Sequence, residues 1–190
     1  MKFYECSFLL FFCSFVFADN DGFNLRPRCS KPVHLGIREC SNSSSIRYHL
    51  DSETLTCLAF SYSGCGGNEN NFETAAECYR SCIPMDFKRC PVNSKPVKSI
   101  DGKHSCSRSK KCDGKNSYCS MGFVVGMCCD KTIQEKVSQN YEPGCGARRV
   151  IVKVDRGGYM ETILGKSCDS KFCPIGSTCH QGDFFAYCCR

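Results

Sequence analysis

Eighteen cysteines, spaced in three groups of six, limit this chain more than any other feature. The first group is Cys29, Cys40, Cys57, Cys65, Cys78 and Cys82; the second is Cys90, Cys106, Cys112, Cys119, Cys128 and Cys129. The third is Cys145, Cys168, Cys173, Cys179, Cys188 and Cys189. The last two groups share an outline. Each ends in C-x8-C-C, preceded by cysteines at similar intervals, which makes an internal repeat. What varies is the first loop, fifteen residues in one copy and twenty-two in the other. Loop length on a fixed framework can change at small entropic cost. Each group spans roughly 40 to 55 residues, a size at which a hydrophobic core rarely holds without cross-links. Three small modules, each closed by three bridges, are therefore expected. Losing one such bridge typically costs about 2–5 kcal/mol.

The remaining two cysteines, Cys6 and Cys13, lie in MKFYECSFLLFFCSFVFA. An early Lys, an apolar run from Phe8 to Phe17 and a terminal Ala18 read as a secretory signal peptide spanning residues 1–18. The run is too short to span a bilayer, and no other stretch is long and apolar enough. A secreted, extracellular chain is expected, where disulfides form and persist. Structural zinc is disfavoured, because the sequence holds no C-x2-C pair and its four His, at 34, 49, 104 and 180, make no ligand pair. Neither metal nor cofactor is expected. The net charge of +6 suits an acidic glycan or matrix partner, although Arg108-Ser109-Lys110-Lys111 and Arg148-Arg149 read as solvated faces. Nucleic acid is not expected as a partner.

The most specific text is FSYSGCGGNENNFETAAECYRSC, Phe60 to Cys82. It opens as a strand, Leu58 to Tyr62, followed by a tight Gly-rich turn around Cys65-Gly66-Gly67. Thr74 and Glu77 then form a capping box that starts a short helix. Cys78 and Cys82 sit four apart on that helix and face one side. An earlier strand runs from about Ile46 to Leu50, and Asp51-Ser52 begins the turn between the two.

This arrangement resembles the Kunitz (pancreatic trypsin inhibitor type) domain. The spacing C-x7-C-x12-C-x3-C from Cys57 to Cys82 matches, as do Phe60, Tyr62, Gly64, Gly67, Asn70, Asn71 and Phe72. Six cysteines alone allow fifteen pairings; the resemblance selects Cys29–Cys82, Cys40–Cys65 and Cys57–Cys78. It implies a twisted hairpin plus a short C-terminal helix. It also implies inhibition of a serine protease by substrate-like insertion of a disulfide-braced loop. The reactive-site loop would be Cys40, Ser41, Asn42 and Ser43. Ser41 would fill the enzyme's primary pocket, and Ser41-Asn42 would be the scissile peptide. Such a small residue fits an elastase-like pocket and cannot pair with the buried Asp of a trypsin-like one.

The chain departs from the family pattern in that loop. Ten residues separate Cys29 from Cys40 and sixteen separate Cys40 from Cys57, where eight and fifteen are usual. Asn42 stands where Ala or Gly is usual, and Ser63 replaces a Gly. Asn42-Ser43-Ser44 is also a glycosylation acceptor, so a glycan on Asn42 would lie beside the scissile bond. A non-inhibitory extracellular Kunitz scaffold, a matrix component or a channel or receptor ligand, is therefore the competing expectation.

The second and third groups resemble the lustrin-type cysteine-rich repeat, on C-P-x-G-x-x-C (Cys173 to Cys179) and the terminal C-x8-C-C. They are expected as small, mainly β and loop modules. Vicinal cysteines rarely bond each other without strain, so each should reach a different loop. A strand is expected near Phe123, Val125 and Met127 and near Phe185 and Tyr187, with another at Ile151 to Val154 turning at Gly157-Gly158. The expected order is an N-terminal segment 19–28, the Kunitz-type domain 29–82, a linker 83–89, a first repeat 90–129, a linker 130–144 and a second repeat 145–190. The fold class is small and disulfide-rich. No nucleophile elbow, H-E-x-x-H motif or phosphate loop is present, so an enzyme is not expected.

Overall fold

The computed structural model describes residues 24–85, 87–123, 125–146, 148–155 and 158–190. The expected signal peptide and Gly157 lie outside the described residues. Strands β1 (Ser45–Asp51) and β2 (Thr56–Tyr62) form an antiparallel hairpin, registered from Ser45 against Tyr62 to Asp51 against Thr56. Its turn is fastened by Asp51, whose Oδ2 accepts from the Thr54 amide at 3.1 Å and from the Thr54 hydroxyl at 2.5 Å. Helix α1 (Ala75–Cys82) follows. Thr74 caps it by accepting from the Glu77 amide, a free donor of the first turn, while the Glu77 carboxylate accepts from the Glu73 amide just before the cap.

Cys29–Cys82 and Cys57–Cys78 anchor the helix to the N-terminal segment and to β2. Asn70 does the same work without covalent bonds. It is buried, donates to the carbonyls of Leu50 and Lys31 at 2.9 and 2.7 Å, and accepts from the Leu50 amide at 2.8 Å. Both ends of its amide are therefore used, as burial of a polar group requires.

The second region contains β3 (Ser105–Cys106), β4 (Ser117–Met121) and β5 (Gly126–Asp130), in spatial order β3-β5-β4. Helix α2 (Lys131–Tyr141) leads on to β6 (Lys153–Asp155), β7 (Met160–Thr162), β8 (Leu164–Gly165), β9 (Thr178–Gln181) and β10 (Ala186–Cys189). The β6–β7 pair is a separate hairpin, and the last sheet is ordered β8-β10-β9. The two three-stranded sheets are copies of one design. In each, first and sixth, second and fourth, and third and fifth cysteines are bridged: Cys90–Cys129, Cys106–Cys119 and Cys112–Cys128, then Cys145–Cys189, Cys168–Cys179 and Cys173–Cys188. Cys119 lies opposite Cys128, and Cys179 opposite Cys188. In both, the vicinal cysteines point to opposite faces of the last strand, so each reaches a different loop.

The strands sit differently from the apolar alternation. Met127 and Tyr187 lie in β5 and β10, but Phe123, Val125 and Phe185 precede those strands in the turns. The segment 130–144, expected as a linker without periodic structure, is mostly α2. Asp130 caps it, accepting from the Thr132 and Ile133 amides at 2.7 and 3.2 Å. Ile133, Val137, Asn140 and Tyr141 recur on one side at helical spacing.

The modules are packed on one another. Leu58 of β2 packs with Leu164 of β8 and with Phe185 of the β9–β10 turn, and a larger buried cluster runs from Leu50, Leu55 and Phe72 to Val152, Ile163 and Phe172. Lys166 reaches Asp51 and Glu53 across this junction at 3.0 and 2.6 Å, and Arg89 donates to the Leu55 carbonyl at 2.7 Å. A cleft of about 280 Å³ is lined jointly by Thr56 and Tyr79, by Arg89 and Ser120, and by Tyr141 and Phe185. The outer face of the Kunitz-type hairpin is thus covered by the last module.

His49 lies in that hairpin, 3 % exposed, edge-on to Phe60, with neither ring nitrogen hydrogen-bonded. Burial pushes its pKa below the ordinary value, against smaller opposing contributions from the backbone at Leu50 and from Asp51. The folded state therefore takes up a proton less readily than the unfolded chain. The stability this represents is full above the unfolded value of about 6.5 and is lost as pH falls below it. Calorimetric melting at pH 7.5 and pH 5 is expected to show a lower midpoint at the acidic pH, and His49→Gln to show a smaller drop.

Candidate functional site

Two segments meet at the open end of the β1–β2 hairpin, where Ser45 faces Tyr62. One is the approach to β1, residues 34–44; the other leaves β2, residues 63–67. Their backbones pair: the Ser63 amide donates to the Leu35 carbonyl at 2.9 Å and the Ile37 amide to the Cys65 carbonyl at 3.1 Å. The bridge Cys40–Cys65 joins them covalently, with Cα atoms 5.7 Å apart.

Close approach of these backbones explains the glycines. Gly36 has φ +88°, and a Cβ there would lie 2.0 Å from the Ser63 hydroxyl oxygen and 2.5 Å from the Cys65 carbonyl. Gly64 has φ +94°, and a Cβ would meet that of Asn42 at 2.7 Å. Side chains are excluded at both positions by space and by backbone conformation. The Gly36 amide is held by the His34 ring nitrogen at 3.0 Å, and the Tyr62 hydroxyl donates to the Gly66 carbonyl at 2.6 Å.

Cys40, Ser41, Asn42 and Ser43 are consecutive on this rim. Ser41, Asn42 and Ser43 are exposed, with Ser44 and Ser45 continuing exposed into β1. Arg38 is exposed two residues before Cys40. Asn42 has a role that its sequence context did not signal. Its side-chain amide turns back under the loop and donates to the Gly64 carbonyl at 3.1 Å, with Cys65 Sγ 3.6 Å away. The Ser41-Asn42 peptide is therefore flanked by a disulfide on one side and a hydrogen-bonded side chain on the other. Ser63, marked in the sequence as the replacement of a Gly behind the loop, pairs with Leu35 through its amide, and His34 carries no motif that would have signalled its support.

The arrangement offers a pre-ordered, solvent-facing peptide and no reacting group. Cys106, Cys112 and Cys119 bring their sulfurs within 4.8 Å of one another. All three are consumed in bridges, so they present no thiolate to a metal. Among the described residues no helix is long and apolar enough to cross a membrane.

Comparison with known proteins places the first module in a known family. The Kunitz/bovine pancreatic trypsin inhibitor domain model matches residues 28–83. Along its whole length the chain is similar to the major allergen Ani s 1 of Anisakis simplex, 35 % identical over 196 aligned residues that cover 100 % of this chain and 98 % of the allergen. It is 36 % identical over 162 residues to a BPTI/Kunitz inhibitor domain-containing protein of Caenorhabditis elegans, covering 85 % of this chain and 89 % of that protein. Tissue factor pathway inhibitor of Mus musculus is 44 % identical over 57 residues, 30 % of this chain and 18 % of the relative. A disulfide-rich chain with this matched segment and full-length relatives of this kind belongs to the Kunitz/bovine pancreatic trypsin inhibitor domain family, which is not a family of enzymes.

Proposed function

We propose that this chain is a secreted inhibitor of a serine protease, with Ser41 as the residue that enters the enzyme's primary pocket and Ser41-Asn42 as the peptide presented for cleavage. The observation that carries this reading is the exposed Ser41-Asn42 peptide held between the Cys40–Cys65 bridge and the Asn42–Gly64 hydrogen bond. A loop ordered before it binds loses little conformational entropy on docking, which is how protease–inhibitor pairs of modest area become tight. Ser41 is small and uncharged, so the complementary pocket is small and apolar, of the elastase type. Secretion is supported by the N-terminal apolar segment and by the nine bridges among the described residues, which persist in oxidising compartments. In this reading residues 29–82 are the inhibitor domain and residues 90–129 and 145–190 are lustrin-type repeats. The last repeat serves as a buttress for the inhibitor hairpin.

A second reading, a non-inhibitory scaffold that contacts matrix or an acidic glycan, is favoured by one observation. Asn42 is the acceptor of the sequon Asn42-Ser43-Ser44, and its amide nitrogen faces Gly64. A glycan there would stand on the docking rim and compete with that bond. Titration of residues 19–190, made in a secreting eukaryotic host, against elastase-, chymotrypsin- and trypsin-like enzymes separates the readings, with and without enzymatic removal of N-glycan. Inhibition of an elastase-like enzyme supports the first. Inhibition that appears only after deglycosylation makes Asn42 a covered reactive site. No inhibition in either form leaves the scaffold.

A further inference from the structure

The two repeats carry the same hairpin turn and use it differently. In both, a glycine amide donates to the carbonyl three residues on at 2.9 Å: Gly122 to Val125 between β4 and β5, and Gly182 to Phe185 between β9 and β10. In the last module this tip is docked inside the chain. Phe185 is 0 % exposed, the Phe184 and Phe185 amides donate to Asn140 of α2 at 3.0 and 3.1 Å, and Asp183 pairs with Lys136 at 3.3 Å. In the second region the equivalent turn, at Met121, Gly122, Phe123, Val125 and Gly126, has no such seat among the described residues. Phe123 is 97 % exposed and Val125 61 %, with Met121 exposed beside them. Three exposed apolar residues within five positions of one hairpin turn are where a contact surface is to be looked for.

Charge says what kind of contact. Residues 88–129 carry nine Lys and Arg against two Asp, a net of +7, while the whole chain carries +6; the rest of the chain is close to neutral. Lys88 sits at the tip, its ammonium donating to the Met121 carbonyl at 2.9 Å. Cys106 of β3 lies opposite Gly126, where β5 begins. The chain therefore leaves β3 at the tip end of the sheet and runs into Arg108-Ser109-Lys110-Lys111, of which Lys110 is paired with Asp101 while Arg108 and Lys111 are exposed. An apolar point rimmed by cations matches the boundary of an anionic bilayer, where the apolar groups enter the acyl region and Lys and Arg meet the headgroups.

We propose that the β4–β5 tip, led by Phe123, docks this protein on anionic lipid surfaces. The proposal is independent of the inhibitory reading, because the Ser41 loop belongs to a different module. Sedimentation of the full mature chain with vesicles of phosphatidylcholine, alone or mixed with phosphatidylserine, tests it. Binding is expected to the mixed vesicles only and to weaken as salt rises. Phe123→Ser, at a position too exposed to disturb folding, is expected to lower partitioning about tenfold, the size of one partly buried aromatic side chain. Arg108→Glu with Lys111→Glu is expected to lower it as well. Equal binding by wild type and Phe123→Ser overturns the proposal, reducing the surface to a purely electrostatic one such as a glycan would also meet. Absence of wild-type binding to the mixed vesicles, or equal binding to pure phosphatidylcholine, overturns it too.

Discussion

Replacing Ser41 by Arg is expected to convert this chain into an inhibitor of trypsin-like enzymes and to abolish its action on elastase-like ones. Ser41 is exposed on the rim, so the longer side chain disturbs no packing. The frame that presents it stays intact: the Cys40–Cys65 bridge, the Asn42–Gly64 hydrogen bond and the pairing of Ile37 with Cys65 all involve other atoms. A guanidinium at this position meets the buried Asp of a trypsin-like pocket. A central anchor of that kind contributes about 4 kcal/mol or more, which is a gain of roughly a thousandfold in affinity. The same side chain cannot enter a small apolar pocket. Inhibition constants of Ser41→Arg and wild type against one enzyme of each type read both halves of the exchange. Unchanged inhibition of both enzymes would show that residue 41 is not in the pocket.

Phe185→Ala is expected to destabilise the whole chain by about 3–5 kcal/mol, the usual cost of removing a buried aromatic side chain. Phe185 is fully buried and packs against Leu58 of β2 and Leu164 of β8, with Val92, Phe184, Tyr141 and Tyr187 around it. The cavity would open where the last module covers the Kunitz-type hairpin. The nine bridges hold each region's own topology, so the loss should appear as loosened contact between regions. Denaturant melting reads the magnitude. Hydrogen exchange reads the place, with faster exchange expected at β8 and at Asn140, whose Oδ1 holds the Phe185 amide. Exchange confined to the β9–β10 hairpin would mean that the modules are energetically separate.

The local elements of the first module were legible because each has a short-range physical signature. Thr74 and Glu77 stand at capping-box spacing. Phe60 and Tyr62 alternate on a strand, and Cys78 and Cys82 share a helix face. The repeat was equally visible, since its cysteine intervals survive even where the intervening residues do not. Helix α2 was not visible: its inward side is a narrow stripe, Ile133, Val137 and Tyr141, in a polar segment, and its cap Asp130 directly follows the vicinal cysteines. The joining of the modules was hidden for a different reason. Leu58, Phe185 and Lys166 find partners more than a hundred residues away, and no local period records such contacts. At the rim, Asn42 read as a sequon, and only the folded backbone brings its amide to Gly64.

The most direct test of the inhibitory account is an equilibrium titration of an elastase-like serine protease with the deglycosylated mature chain, followed by mass spectrometry of the recovered inhibitor. The account predicts stoichiometric inhibition, with any slow cleavage falling at the Ser41-Asn42 bond. Failure to inhibit, or rapid cleavage elsewhere with no stable complex, would contradict it.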